Sequence, residues 1–143
     1  MQSSSQASQP LVATEIYQQF ILSLVAQQQV MALINAEQQW AWSGDQALNL
    51  WHHPSLIKPV IQHWVGYRIF PISLEELIFK IIPVLEREKK RIALNLAENG
   101  QSVLIQPKQL LLDLKNYLYE LERLNPSQFK QLDLPSPRKI RLH

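Results

Sequence analysis

Apolar side chains recur along this chain first with the period of a helix and then with that of a strand, and the switches between the two divide it into elements. Ile16, Tyr17, Phe20, Leu24 and Val25 share one side of a helix, which predicts a helical segment from about Thr14 to Gln27 with Thr14 as its N-cap. From Val30 the pattern shortens. Apolar and aromatic residues alternate or cluster between two turn signals, Asn35-Ala36-Glu37 and Ser43-Gly44-Asp45. That predicts a meander of three strands, Val30 to Ile34, Gln39 to Trp42 and Ala47 to Trp51. Pro54 and Pro59 bracket a short helix ending near Trp64, where Gly66 stops it. Tyr67 to Ile72 is then extended, and Pro71 within it suits an edge strand because proline has no N–H for a second neighbour.

The helical period returns at Ser73-Leu74-Glu75-Glu76, a capping box in which the serine hydroxyl and a glutamate satisfy the first backbone donors. Leu74, Leu77, Ile78, Ile81, Ile82 and Leu85 form the stripe behind it, interrupted by Pro83, so a kink is expected between Phe79 and Pro83. Ile92 to Gln106 alternates around Asn99-Gly100, the pair favoured by a two-residue type I′ turn. That turn sets Glu98 opposite Gln101, Leu96 opposite Val103 and Leu94 opposite Ile105. Pro107 opens a last helix to about Leu124, with Leu110, Leu111, Leu114, Leu118 and Leu121 along one face; Asn125-Pro126 ends it.

These elements predict an α+β fold: a single domain over residues 13–124 holding a mostly antiparallel sheet of roughly five strands with three to four helices. The Gln/Ser-rich residues 1–12 are expected to be a flexible tail. Residues 125–143 carry three prolines without an amphipathic period and are expected to be an extended or disordered basic tail.

Composition narrows the picture only a little. The chain has 143 residues, 46% of them hydrophobic, and no cysteine, which excludes disulfides and thiolate ligands and fits a reducing cytoplasm. Fourteen basic against twelve acidic side chains give a net charge of +2, too small an excess to point to nucleic acid. No stretch approaches the roughly 18 apolar residues of a membrane span, and the N-terminus lacks the pattern of a secretory signal.

Candidate chemistry is sparse. His52, His53 and His63 match no metal-ligand spacing. Of the acids Asp45, Glu75 and Glu76, Asp45 is explained by its turn and Glu76 by the capping box, so no catalytic pair is expected and no catalytic, cofactor or metal residue is assigned. The basic C-terminal run Arg138-Lys139-Ile140-Arg141 could touch phosphates only weakly and in a salt-dependent way. The remaining concentration is aromatic: Trp40, Trp42, Trp51, Trp64 and Tyr67. Four tryptophans in so small a domain cannot all be fully buried, and tryptophan and tyrosine are favoured interface anchors. These five are the candidate partner-binding residues, beside the plainer reading of a core lined with aromatics.

The order of motifs resembles the bacterial DUF2750 family, single small domains of unknown function. The resemblance runs from Tyr17 to about Leu121 through Tyr17 and Phe20, Trp40-Ala41, Leu50-Trp51 with Pro54, Trp64-Val65-Gly66-Tyr67, Ile72-Ser73-Leu74, Pro83-Val84-Leu85, and Pro107 to Leu111. Phe70-Pro71 departs from the family's pattern, in which a proline after the Gly-Tyr comes earlier. The resemblance implies a fold and carries no catalytic residue. The expectation is a non-catalytic interaction or accessory protein of the bacterial cytoplasm with a protein partner. The alternatives are weak nucleic-acid binding through the C-terminal run and a small enzyme with an unrecognised site.

Overall fold

The computed structural model describes residues 13–44 and 46–142. The tail expected over residues 1–12 lies outside them, as does Asp45. The chain forms one compact α+β domain. Its elements in order are α1 (Ala13–Gln27), β1 (Gln29–Asn35), β2 (Trp42–Ser43), β3 (Ala47–Leu50), two 3₁₀ turns (Pro54–Leu56 and Ile61–His63) and β4 (Tyr67–Ser73). After β4 come α2 (Leu74–Glu76), a π-helical turn (Leu77–Ile81), α3 (Ile82–Arg87), β5 (Arg91–Leu94), β6 (Val103–Ile105), α4 (Pro107–Leu124), α5 (Pro126–Gln131) and a 3₁₀ turn (Pro137–Lys139). Thr14 lies inside α1 rather than capping it.

The strands form two sheets rather than one of five strands. β1 pairs antiparallel with β4, and β2-β3-β5-β6 make a mixed sheet in which β3 and β5 run parallel. Isolated antiparallel pairs, Met31 with Trp51 and Ile34 with Trp40, tie β1 to the second sheet. The parallel pair was not legible in the sequence, because it joins segments more than forty residues apart across a helical crossover.

Pro71 lies where its ring does least harm. Met31, Leu33 and Asn35 turn their backbone groups toward Trp51, Ala41 and Gln39, away from β4. Their β4 partners Pro71, Ile69 and Tyr67 therefore aim theirs at the open edge of that sheet, as ladder alternation requires. The missing proline N–H thus interrupts no bond inside the fold.

The serine half of the capping box forms as expected, with the Ser73 hydroxyl accepting from the Glu76 N–H at 3.0 Å. The kink expected before Pro83 takes the form of the π turn, in which the Ile82 N–H reaches back to the Leu77 carbonyl. A widened turn there relieves the clash of the proline ring with the preceding carbonyl.

The hairpin departs from the two-residue turn. The Ala97 N–H donates to Gln101 O and the Gly100 N–H to Ala97 O, both at 2.9 Å, so three residues make the loop and Gly100 alone takes a left-handed φ of 84°. This is the three-residue turn with a glycine bulge. A second irregularity follows at Asn95, with φ 54°, which places two residues opposite one. The ladder is therefore Leu94 with Val103 and Ile92 with Ile105, two residues away from the expected register. A shift of two preserves the buried face, and Ile92 and Leu94 are fully buried.

The C-terminal segment is a further correction. Residues 125–142 are neither extended nor detached: the Asn125 side chain caps α5 through the Gln128 N–H, and Phe129, Leu134 and Ile140 are buried in the main core. The Lys115 ammonium donates to the Ile140 carbonyl at 2.7 Å. Irregularly spaced apolar anchors order this stretch without an amphipathic period.

Candidate interaction surface

The five aromatic residues singled out in the sequence divide between two places. Trp40 and Trp42, two apart along one extended segment, both pack half-buried against the large core. Trp51, Trp64 and Tyr67 belong to a smaller cluster with Met31, Leu33, Ala41, Ile57 and Val60. Trp51 is fully buried, and its indole N–H donates to the Leu96 carbonyl at 3.0 Å. It is a core residue and leaves the set of exposed anchors, because a partner cannot reach an indole that is already enclosed. Trp64 and Tyr67 sit edge to face at 5.3 Å on the rim of that cluster.

Trp40 and Trp42 are joined by residues the sequence reading did not single out. Trp40 meets Phe70 edge to face, with ring centroids 5.5 Å apart. The Arg68 guanidinium lies 5.7 Å from the centre of the Phe70 ring, and the Lys90 ammonium 5.8 Å from the centre of Trp42. The row Arg68, Phe70, Trp40, Trp42, Lys90 thus sets a cation at each end of three aromatic rings, each cation attracted by the negative face of the ring beside it. The available signal was the alternation in β4, where Arg68 and Phe70 are two apart and share a face.

The histidines do not converge. His52 lies two residues past β3 and is half-buried: Asn95 accepts from its backbone N–H at 3.3 Å through Oδ1 and turns Nδ2 toward ring Nδ1 at 3.0 Å. Burial, with His53 alongside, lowers the His52 pKa, and an amide donor facing Nδ1 requires the neutral ring. His53 accepts from the Ser55 N–H at the start of the first 3₁₀ turn, and His63 is exposed. Among the described residues no group of three His, Asp or Glu side chains could hold a metal ion. Glu75 and Glu76 lie in the first turn of α2, where the Glu76 N–H donates to the Ser73 hydroxyl.

Tyr17 donates to Asp113 across α1 and α4 at 2.5 Å. Burial, reinforced by that carboxylate, pushes its phenol pKa well above the usual range. Of the C-terminal cations, Arg138 pairs with Glu122 at 3.0 Å and lies over the Tyr119 ring, so one charge of that run is used within the fold. No helix among the described residues is long and apolar enough to cross a membrane.

A small α+β domain with two sheets and a half-buried aromatic row is the class of protein these features define. The family described as "Protein of unknown function (DUF2750)" matches residues 17–114, more than half of the chain, and the protein belongs to that family. Comparisons with curated proteins and with solved structures gave no match.

Proposed function

We propose that this is a non-catalytic interaction protein of the bacterial cytoplasm that binds a protein partner through the row Arg68, Phe70, Trp40, Trp42 and Lys90. The observation carrying this reading is that two tryptophans remain half-buried at the border of the large core with a cation at each end of the row. Aromatic anchors beside arginine or lysine are the side chains that concentrate binding energy at interfaces. The two cations select a partner segment that presents carboxylates next to apolar groups. Neither ring needs to move to be reached, so little ordering cost opposes association.

The test is recovery of a partner from the native host by the intact protein and by Trp40→Ala and Trp42→Ala, with a melting curve for each. The reading expects both substitutions to abolish recovery while shifting the melting midpoint by only a few degrees. Loss of binding that merely tracks loss of folded protein would assign these rings to the core instead. Retention of the partner by both variants would remove the surface from consideration.

A further inference from the structure

Asn99-Gly100, the pair that shapes the β5–β6 turn, also carries a chemistry that the fold does not use. An asparagine side chain is open to attack at Cγ by the backbone nitrogen of the residue after it, and a following glycine leaves that nitrogen unshielded because it has no Cβ. Asn99 is the only asparagine in the chain followed by glycine, and both residues are exposed. The attack needs a free carboxamide and a free nitrogen, and the folded turn occupies both. The Gly100 N–H donates to Ala97 O at 2.9 Å. Gln101 holds the Asn99 carboxamide at both ends, since Oδ1 accepts from the Gln101 N–H at 3.0 Å and Nδ2 donates to Gln101 Oε1 at 3.3 Å. Packing adds nothing to this restraint, because a Cβ built at Gly100 would meet no atom within 4 Å. A turn held by exposed hydrogen bonds alone belongs to the part of a fold that opens most readily.

We propose that Asn99 is a site of spontaneous deamidation gated by opening of the β5–β6 turn, and that its β-linked product unties that turn. In the opened turn the Gly100 nitrogen gives its proton to solvent and forms a bond to Asn99 Cγ, while the Cγ–Nδ2 bond breaks and ammonia leaves. The resulting five-membered succinimide takes up one water. Hydrolysis of its bond between Cγ and nitrogen gives aspartate with the main chain unchanged. Hydrolysis of the bond between the backbone carbonyl carbon and that nitrogen gives isoaspartate, with the main chain rerouted through Cβ and Cγ. The two products differ for the loop. Aspartate keeps an oxygen to accept from the Gln101 N–H. Isoaspartate adds one atom to the main chain of a three-residue loop closed by two bonds of 2.9 Å, and a turn defined by its residue count does not absorb that atom. The effect reaches inward, because Leu96 in the same connection accepts from the buried Trp51 indole. This assignment stands apart from the protein-binding reading, since no residue of the aromatic row takes part in the turn.

The experiment incubates the whole protein in mildly alkaline buffer, natively and in guanidinium chloride, and follows each asparagine by peptide mass spectrometry. Enzymatic methylation of β-linked aspartate tells the two products apart. Over the same period conversion is expected at Asn99 and at no other asparagine, at least about tenfold slower in the native protein than in the denatured chain. Gln101→Ala removes one of the two bonds on the carboxamide and is expected to speed native conversion severalfold while leaving the denatured rate unchanged. The isolated isoaspartate form is expected to melt several degrees below the parent, and Asn99→Asp close to it. Equal native and denatured rates, no conversion in either state, or a native rate indifferent to Gln101→Ala would overturn the gated site. An isoaspartate form as stable as the parent would overturn the untying of the turn.

Discussion

β1 is buried on both faces, and the two cores it separates are built on different plans. On one face Val30 and Ala32 meet the aliphatic stripes of α1, α3 and α4, joined by Ile72, Leu74, Ile92 and Leu94. On the other, Met31 and Leu33 meet Ala41, Trp51, Ile57 and Val60, covered by two 3₁₀ turns instead of a helix. The large core spreads its burial over many interchangeable side chains. The small one concentrates it in a single indole, whose N–H satisfies a carbonyl of the β5–β6 loop, and so depends far more on one residue.

The largest effect is expected at that indole. Trp51→Ala should cost about 3 to 5 kcal/mol, measured by chemical denaturation, and should speed amide exchange at Met31 and Leu33 before α4 is affected. Simultaneous loss of protection in α4 would show that the two cores are one cooperative unit. In the large core Leu114, fully buried, should cost about 2 to 5 kcal/mol when replaced by Ala. A value near the upper end would mean that the aliphatic core relaxes no better than the aromatic one.

The loop that joins the two cores comes next. Gly100→Val places a β-branched residue at a left-handed φ and should cost about 1 to 2 kcal/mol. An unchanged melting midpoint would mean that the turn re-forms in another register.

The smallest effect is electrostatic. His52 has a folded pKa below its usual value near 6.5. The unfolded chain therefore binds the proton more readily, and stability should fall as pH drops below about 6.5 until the folded pKa is reached. Replacing His52 with Gln should flatten that slope. A slope that persists in the variant would place the titration elsewhere.

What was legible in the sequence follows the same division. α1, the capped start at Ser73 and α4 from Pro107 to Leu124 were read correctly because each announces itself by a repeating stripe or a local stop signal. The kink before Pro83 was equally local. The hairpin register was missed because Gly100 fits two turn types and because nothing near Asn95 announces a bulge; that residue is held by Leu50 and His52 from the neighbouring strand. The ordered C-terminal segment was missed for a related reason, since Phe129, Leu134 and Ile140 dock singly and have no period. On the candidate surface, the sequence pointed to Trp40 and Trp42 but could not separate them from Trp51. Burial depends on which face of the meander each indole takes, and the bent pairing of residues 39–43 with both β1 and β3 decides that.

Among the described residues β4 ends its two-stranded sheet with one side unpaired. A bare run of backbone donors and acceptors is a template on which fibrillar assembly starts. Of the positions aimed outward there, Pro71 has no proton to offer and Tyr67 has already given its own to Trp64. A strand arriving alongside would find its ladder broken in the middle and at one end, so the domain keeps an aromatic surface available at high concentration without that surface's own sheet seeding a precipitate.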